Sequence, residues 1–464
     1  MRALTLMGVL SVLATGCSFT TAAGLDECQT SEDCASEQVC TQGFCLPLPT
    51  GCGPIYGSTD ANAIQMGALF PLRTSTAPGA GIDESDEQAL NAALLALDEV
   101  NQRGVGGKQI ALHVCDTAGD TERTKTQATW LVNEKKVTAV LTAGSSQTLT
   151  ASTVTIPKNV LTMSYSGSST ELTSVADTNG GKVGLLWRTS PSDAIQGSVI
   201  AHKLLTDSVK FGTPAKVAIL YVDDPYGQGL YYIVSDRLNK VSKANRGISY
   251  ARRGDVKTAV AQLNAYAPDV TVLVGFADDV TAIIKEASSQ PNLLRYPSGK
   301  HRWFFSDSVK DAALLTNPEV YGQIQDFYGT APAQGTGLAF SAFKDRFLGK
   351  YNKPPDGYAY ISNAYDAMYL MALSAAYSQS TTNAVTGPKM AEALTKLSAT
   401  SSEALPVTSF NSLVTELVAG RSVNVEGASG KLDFDANGEA PAPMELWQVK
   451  GGKFESIEGN LNPP

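Results

Sequence analysis

Histidine is nearly missing from this chain: three among 464 residues, His113, His202 and His301, far apart in sequence. There is no HExxH pair, no GxSxG elbow around the serines, no P-loop and no GxGxxG turn after the first expected strand. These gaps remove the usual sequence marks of zinc hydrolases, serine hydrolases and nucleotide sites, so the chain is read as a non-enzyme with no catalytic residue, cofactor or metal. Beyond residue 17 no apolar run is long enough to cross a hydrocarbon core of ~30 Å. Clusters of Lys and Arg are absent as well, and 45 acidic against 36 basic residues leave a formal charge of −9. That balance excludes a nucleic-acid partner.

What the chain does have begins at its N-terminus. Behind Arg2 runs an apolar stretch from Ala3 to Ala14, too short to span a bilayer, and Leu13-Ala14-Thr15-Gly16-Cys17 resembles a bacterial lipobox. Cleavage after Gly16 would make residues 1–16 a signal peptide and leave Cys17 to carry acyl chains, enough buried CH₂ to hold the protein on a lipid bilayer outside the cytoplasm. Ser18 does not argue for inner-membrane retention, so a periplasmic anchor in either membrane is open.

Six further cysteines follow: Cys28, Cys34, Cys40 and Cys45 within one short polar stretch, then Cys52 and Cys115. Such density in a segment with few apolar residues points to a disulfide-stapled module in an oxidising compartment, with Cys52–Cys115 as a plausible bridge. The intervals of five, five and four residues within the cluster lack the CxxC knuckles of zinc sites. Residues 46–59, rich in Pro, Gly and small polar side chains, read as a linker.

After it, β-branched and aliphatic runs alternate with longer helical patterns, the mark of βαβ units and a parallel sheet. Strands are expected at Ile64 to Phe70, Gln109 to Cys115, Ala139 to Leu141, Val160 to Ser164, Leu185 to Thr189, Lys216 to Val222, Val270 to Gly275 and Trp303 to Ser306. In the first helix Ser85 and Gln88 form a capping box, Ala89, Leu90, Ala93, Leu94, Leu97 and Val100 recur at helical spacing, and Gly104 stops it. Further helices are expected near 121–134, 194–207, 227–239, 336–351 and 358–377, with short strands near 430–449. A chain of this length exceeds one core, so two lobes are expected.

In open parallel sheets ligands collect beyond the carboxyl ends of strands, where helix N-termini present unpaired N–H groups. The loop after the third strand carries Ser145 and Ser146; the one after the fourth carries Ser166 and Ser168, the latter in a capping box with Glu171. Together they offer hydroxyls and amides for a carboxylate. Tyr226, Phe276, Ala277 and Asp307 follow later strands, with Asp307 suited to a ligand ammonium.

In this order the pieces resemble the type I periplasmic solute-binding proteins of ABC importers, the leucine/isoleucine/valine-binding family. The resemblance rests on Leu90-Asn91-Ala92-Ala93 through Asp98-Glu99-Val100-Asn101, then Gly104-Val105-Gly106-Gly107-Lys108, Asp224-Pro225-Tyr226-Gly227-Gln228-Gly229 and the closing Gly430-Lys431-Leu432-Asp433-Phe434-Asp435-Ala436-Asn437-Gly438. It implies an α/β fold of two lobes, each a mostly parallel sheet flanked by helices, joined by a multi-strand hinge. Lobe 1 would hold 60–188 and 333–429, lobe 2 would hold 189–332 and 430–464, and 17–59 would be the tethered cysteine-rich module and linker. By the same resemblance Ser145 meets the ligand carboxylate, Ser166 and Ser168 hold the amino-acid backbone, Tyr226 with Phe276 or Ala277 lines the second lobe, Asp307 takes the ammonium and Tyr358 lines the cleft. The implied ligand is an amino acid or similar small polar molecule, passed to ABC permease subunits. A second reading keeps the fold but makes the protein a lipid-tethered sensor or envelope adaptor.

Overall fold

The computed structural model describes residues 26–29, 33–34, 38–41 and 43–463. The signal segment 1–16, the lipidation candidate Cys17 and the side chain of Cys40 lie outside the described residues. The chain divides after Leu48 into a small unit and a large one.

In the small unit, strands Gln38–Thr41 and Phe44–Pro47 pair antiparallel. Cys34 and Cys45 are joined by a disulfide, and Cys28 is disulfide-bonded too. The sulfurs of Cys28, Cys34 and Cys45 lie within 4.8 Å of one another. Their oxidation fits the stapled module, since a zinc site would need free thiolates.

Besides a small sheet of Ala404–Pro406, Asn424–Gly427 and Gly430–Lys431, the large unit has two large sheets and two main cores. One sheet orders its strands Cys52–Gly57, Ile110–Asp116, Ile64–Phe70, Ala139–Thr142, Leu161–Ser164 and Leu186–Arg188, all parallel except the first. The other runs Ala244–Tyr250, Lys216–Val222, Val270–Val274, Arg302–Phe305, Tyr328–Pro332, Met444–Lys450 and Lys453–Leu461, with the last two antiparallel. The first core draws on residues from Ile64 to Trp187 and again from Phe343 to Ala440. The second takes Ile200 to Ala331 and then Leu446 to Val449. The chain therefore crosses between lobes near Arg188–Asp193, Pro332–Leu338 and Glu439–Met444.

Local sequence explains the elements that frame the crevice. Helix Glu84–Arg103 is capped by Asp83, not Ser85: the Asp83 carboxylate accepts from the Asp86 N–H, while Glu84, Asp86 and Glu87 oppose the positive end of the helix. Gly104, at φ +81°, ends it where an L side chain would be strained. The helix buries Ala89, Ala92, Ala93, Ala96 and Leu97 and packs on helix Ile361–Thr382, where small side chains allow a close approach. That second helix is buried from Ile361 to Gln379, including Asp366, whose carboxylate accepts from Ala428 N–H, Ser429 N–H and the Ser429 hydroxyl. It is a core helix. Among the described residues no helix is long and apolar enough to cross a membrane.

Some expectations shift. Inside the stretch read as a linker, Cys52–Gly57 forms an edge strand: Cys52 pairs with Cys115 in register and is joined to it by a disulfide, which holds a Gly- and Pro-bearing segment in the sheet. Strand Ala244–Tyr250 escaped notice because its exposed edge leaves Asn245 and Arg246 among its residues. Tyr328–Pro332 did so because Gly and Pro interrupt a short run. Ser169, rather than Ser168, caps the next helix through its own oxygen and the Glu171 N–H.

Candidate ligand-binding site

A cavity of about 440 Å³ opens between the lobes. Its walls are loops that follow strands of both sheets: residues 71–86, 119–121, 143–147 and 165–166 from one lobe, 224–226, 252, 276–281 and 308–313 from the other, with Ala359 and Tyr360 closing one side. This is the carboxyl-end placement that a parallel sheet favours.

The first wall is a paired set of serine loops. Helix Ser145–Thr155 starts earlier than its Thr-rich sequence suggests, behind Gly144 at φ +61°, and no side chain caps its first turn. Its N-terminal N–H groups face the cavity through Ser145, Ser146 and Gln147. Gly144 N–H donates to Ser166 Oγ at 2.9 Å, and Ser169 N–H donates to Ser145 Oγ at 3.1 Å. An accepting serine oxygen keeps its own proton to donate. Beneath them Thr142, Thr148 and Ser164 form a buried hydroxyl chain with 2.9 Å links, so the two loops are held as one piece. The arrangement suits a carboxylate at a helix N-terminus.

The second wall holds aromatics and charge. Tyr226 and Phe276 pack at 5.7 Å between ring centroids, and the Arg252 guanidinium lies 3.5 Å from the Phe276 centroid. Asp224 caps helix Pro225–Lys240 by accepting from Gly227 N–H at 2.8 Å, and its other oxygen lies 3.5 Å from Ser146 Oγ of the opposite lobe. Burial raises the Asp224 pKa. Two more contacts join the lobes: Ser169 Oγ donates to the Pro225 carbonyl at 2.9 Å, and Arg253 donates to the Ala118 carbonyl at 2.9 Å.

Of the residues singled out from sequence, Ser145, Ser146, Ser166, Tyr226, Phe276 and Ala277 line this cavity. Ser168, Asp307 and Tyr358 do not. Ser168 is buried, with its carbonyl accepting from Asp193 N–H. Asp307 is fully buried behind Tyr226 and Tyr360, whose hydroxyls donate to its two oxygens at 2.6 and 2.5 Å, so the acid expected to face the ligand is screened by tyrosines. Burial pushes its pKa up. Tyr358 turns toward Glu84, and Tyr360, two residues on, takes the cavity position. Tyr360 sits at φ +65°, an uncommon backbone for a bulky residue, stabilised here by its bond to Asp307.

Sequence reasoning missed the acids of the first helix, Asp83 and Asp86, and also Asp311 and Arg252. The Asp-rich entry to that helix was the available signal. It reads equally well as helix capping, which Asp83 does perform.

The periplasmic binding protein family matches residues 63–453. The chain belongs to that family. Among its relatives is the chemotactic signal transduction system substrate-binding protein BasB of Halobacterium salinarum, 25% identical over 85% of this chain and 89% of that protein. The Leu/Ile/Val-binding protein of Escherichia coli is 26% identical over 51% of this chain and 64% of its own length. Among solved structures, a leucine binding protein from Thermotoga maritima superposes with a TM-score of 0.68 at 16% identity, covering 86% of this chain and 99% of that one. A solute binding protein of an ABC transporter from Rhodopseudomonas palustris, in complex with 3,4-dihydroxy benzoic acid, gives 0.65 at 15% identity over 87% and 99%. The two-lobed α/β fold expected from the resemblance is thus this family's fold, and the family is one of extracytoplasmic solute binders.

Proposed function

We propose that this periplasmic binding protein captures an amino-acid-like solute between its lobes and delivers it to ABC permease subunits, held to the bilayer through acylated Cys17. The observation that carries the reading is the uncapped first turn of helix Ser145–Thr155, flanked by Ser145 and Ser166 and facing Tyr226 and Phe276 across the cavity. A ligand that bonds to the serine wall and packs on the aromatic wall has more contacts when the lobes are closed. Closure then follows from differential affinity, with the three crossings absorbing the rotation. In this reading Ser145, Ser146 and Ser166 hold the carboxylate, Tyr226, Phe276 and Ala277 pack on the solute, and Ser168, Asp307 and Tyr358 support the wall from behind.

Mass spectrometry of small molecules released from gently denatured protein tests the proposal. An amino acid or close analogue released in stoichiometric amount supports it, and release of a sugar or nucleotide overturns it. The relation to BasB, a substrate-binding protein of a chemotactic signalling system, supports a second reading in which closure is sensed rather than used for import. Co-purification with a permease or with a receptor separates the two.

A further inference from the structure

The charge of the cavity wall narrows the solute class, an inference that rests on the solute-capture reading above. Six carboxylates line the cavity, Asp83, Glu84, Asp86, Asp224, Asp278 and Asp311, against two cations, Arg252 and Lys310. The cations in and around the cavity already have carboxylate partners. Lys310 pairs with Glu445 at 2.6 Å, Lys353 with Glu84 at 2.8 Å and Arg253 with Asp278 at 2.7 Å. Arg252 lies on Phe276, 3.8 Å from Asp278 and 3.7 Å from Asp279.

Asp86, Asp224 and Asp311 are left without an ion-pair partner among the described residues. Asp311 is the sharpest case: it is 5% exposed, lines the cavity, and among the described residues its carboxylate accepts only the Ala313 N–H, at 2.8 Å. A buried carboxylate without a cation is costly, and such groups stay protonated or wait for a positive charge. Burial lifts Asp311 to about 7, and burial followed by the Asp83 charge lifts Asp86 well above the usual carboxylate range. Asp86 accepts from the Tyr165 hydroxyl, and the Asp311 charge raises it further, so a cation on this side of the cavity would relieve it.

The serine wall of the same cavity has the reverse polarity, with the uncapped helix turn at Ser145–Gln147 offering N–H and O–H donors. Asp224 lies against that wall, accepting from Ser146 Oγ at 3.5 Å. Ile82, Pro71 and Phe276 supply apolar wall. We infer that the cavity selects an α-amino acid with a basic side chain: its carboxylate on the Ser145 helix turn, its α-ammonium beside Asp224, and its side-chain cation between Asp86 and Asp311.

Calorimetric titration of the ligand-stripped full chain with L-arginine, L-lysine, L-ornithine, L-leucine, L-isoleucine and putrescine tests this. The expected result is that at least one basic amino acid binds tenfold or more tighter than leucine. Asp311→Asn should cut that advantage at least tenfold, and Asp86→Asn should do the same should the first variant fail to fold. Leucine or isoleucine binding as tightly as every basic amino acid overturns the inference and leaves solute capture standing. Putrescine matching the best amino acid overturns the carboxylate end. Heat from none of the six overturns both the inference and the amino-acid reading.

Discussion

The Tyr226 hydroxyl donates to Asp307 at 2.6 Å, so a cavity-lining ring from one loop is fixed by an acid buried behind the wall. Tyr360 donates to the other oxygen of the same carboxylate. Replacing either tyrosine by Phe leaves a buried acceptor short of a donor, which costs about 1–3 kcal/mol. Urea unfolding of Tyr226→Phe and Tyr360→Phe should show a lower midpoint with an unchanged slope. A midpoint equal to that of the parent protein would show that Asp307 does not depend on these bonds.

Arg188 and Glu439 lie on two of the chain crossings and meet at 2.6 Å, with side chains 3% and 11% exposed. Arg188 also donates to the carbonyls of Gly167 and Ser169, at 3.2 and 2.8 Å, in the loop behind the serine wall. Arg188→Met strands the Glu439 charge and should destabilise by about 3–5 kcal/mol. Adding Glu439→Gln should restore part of the loss. A double variant no more stable than the single one refutes the pairing as the cause.

The Cys52–Cys115 disulfide fastens the edge strand across a sequence separation of 63. In a chain-entropy account a loop of that size is worth about 4 kcal/mol. Cys52→Ser with Cys115→Ser should lower the thermal midpoint by several degrees, and reduction, which also opens the bridges of the small unit, should lower that of the parent at least as far. Calorimetry with and without reductant measures both.

His301 is buried beside Trp303, with Nε2 2.7 Å from Thr271 Oγ1. Burial holds its pKa down at about 3, below the ~6.5 of an exposed imidazole. Below pH ~6.5 the unfolded chain takes up a proton that the folded protein refuses, so this residue's contribution to stability is complete above that pH and declines as pH falls toward 3. The stability gap between the parent and His301→Asn should therefore narrow by up to about 1.4 kcal/mol per pH unit below 6. A gap independent of pH between 7 and 4 would contradict the assignment.

The parallel strands and the first helix were legible because they carry long apolar runs or clear helical spacing, as in Lys216–Val222 and Glu84–Arg103. The serine wall was legible for a different reason: strand-to-helix loops are where such sheets place their donors. Asp307 shows where that logic stopped. Sequence gave its loop but not its depth, because whether an acid faces a ligand or a pair of tyrosines depends on contacts from Tyr226 and Tyr360, many residues away in each direction. Asp86 and Asp311 were hidden likewise, since they line one cavity only when the two lobes come together.

The two lobe cores share no side chain, and each reaches the crevice through loops and first helical turns at its strand ends. Substitutions that retune which solute is accepted can therefore fall on crevice acids, with a helix cap lost at Asp224 or a tyrosine bond at Asp86, while the apolar packing of either half is kept. On this architecture, relatives with the same scaffold can diverge in diet while their interiors stay under a separate, unrelated constraint.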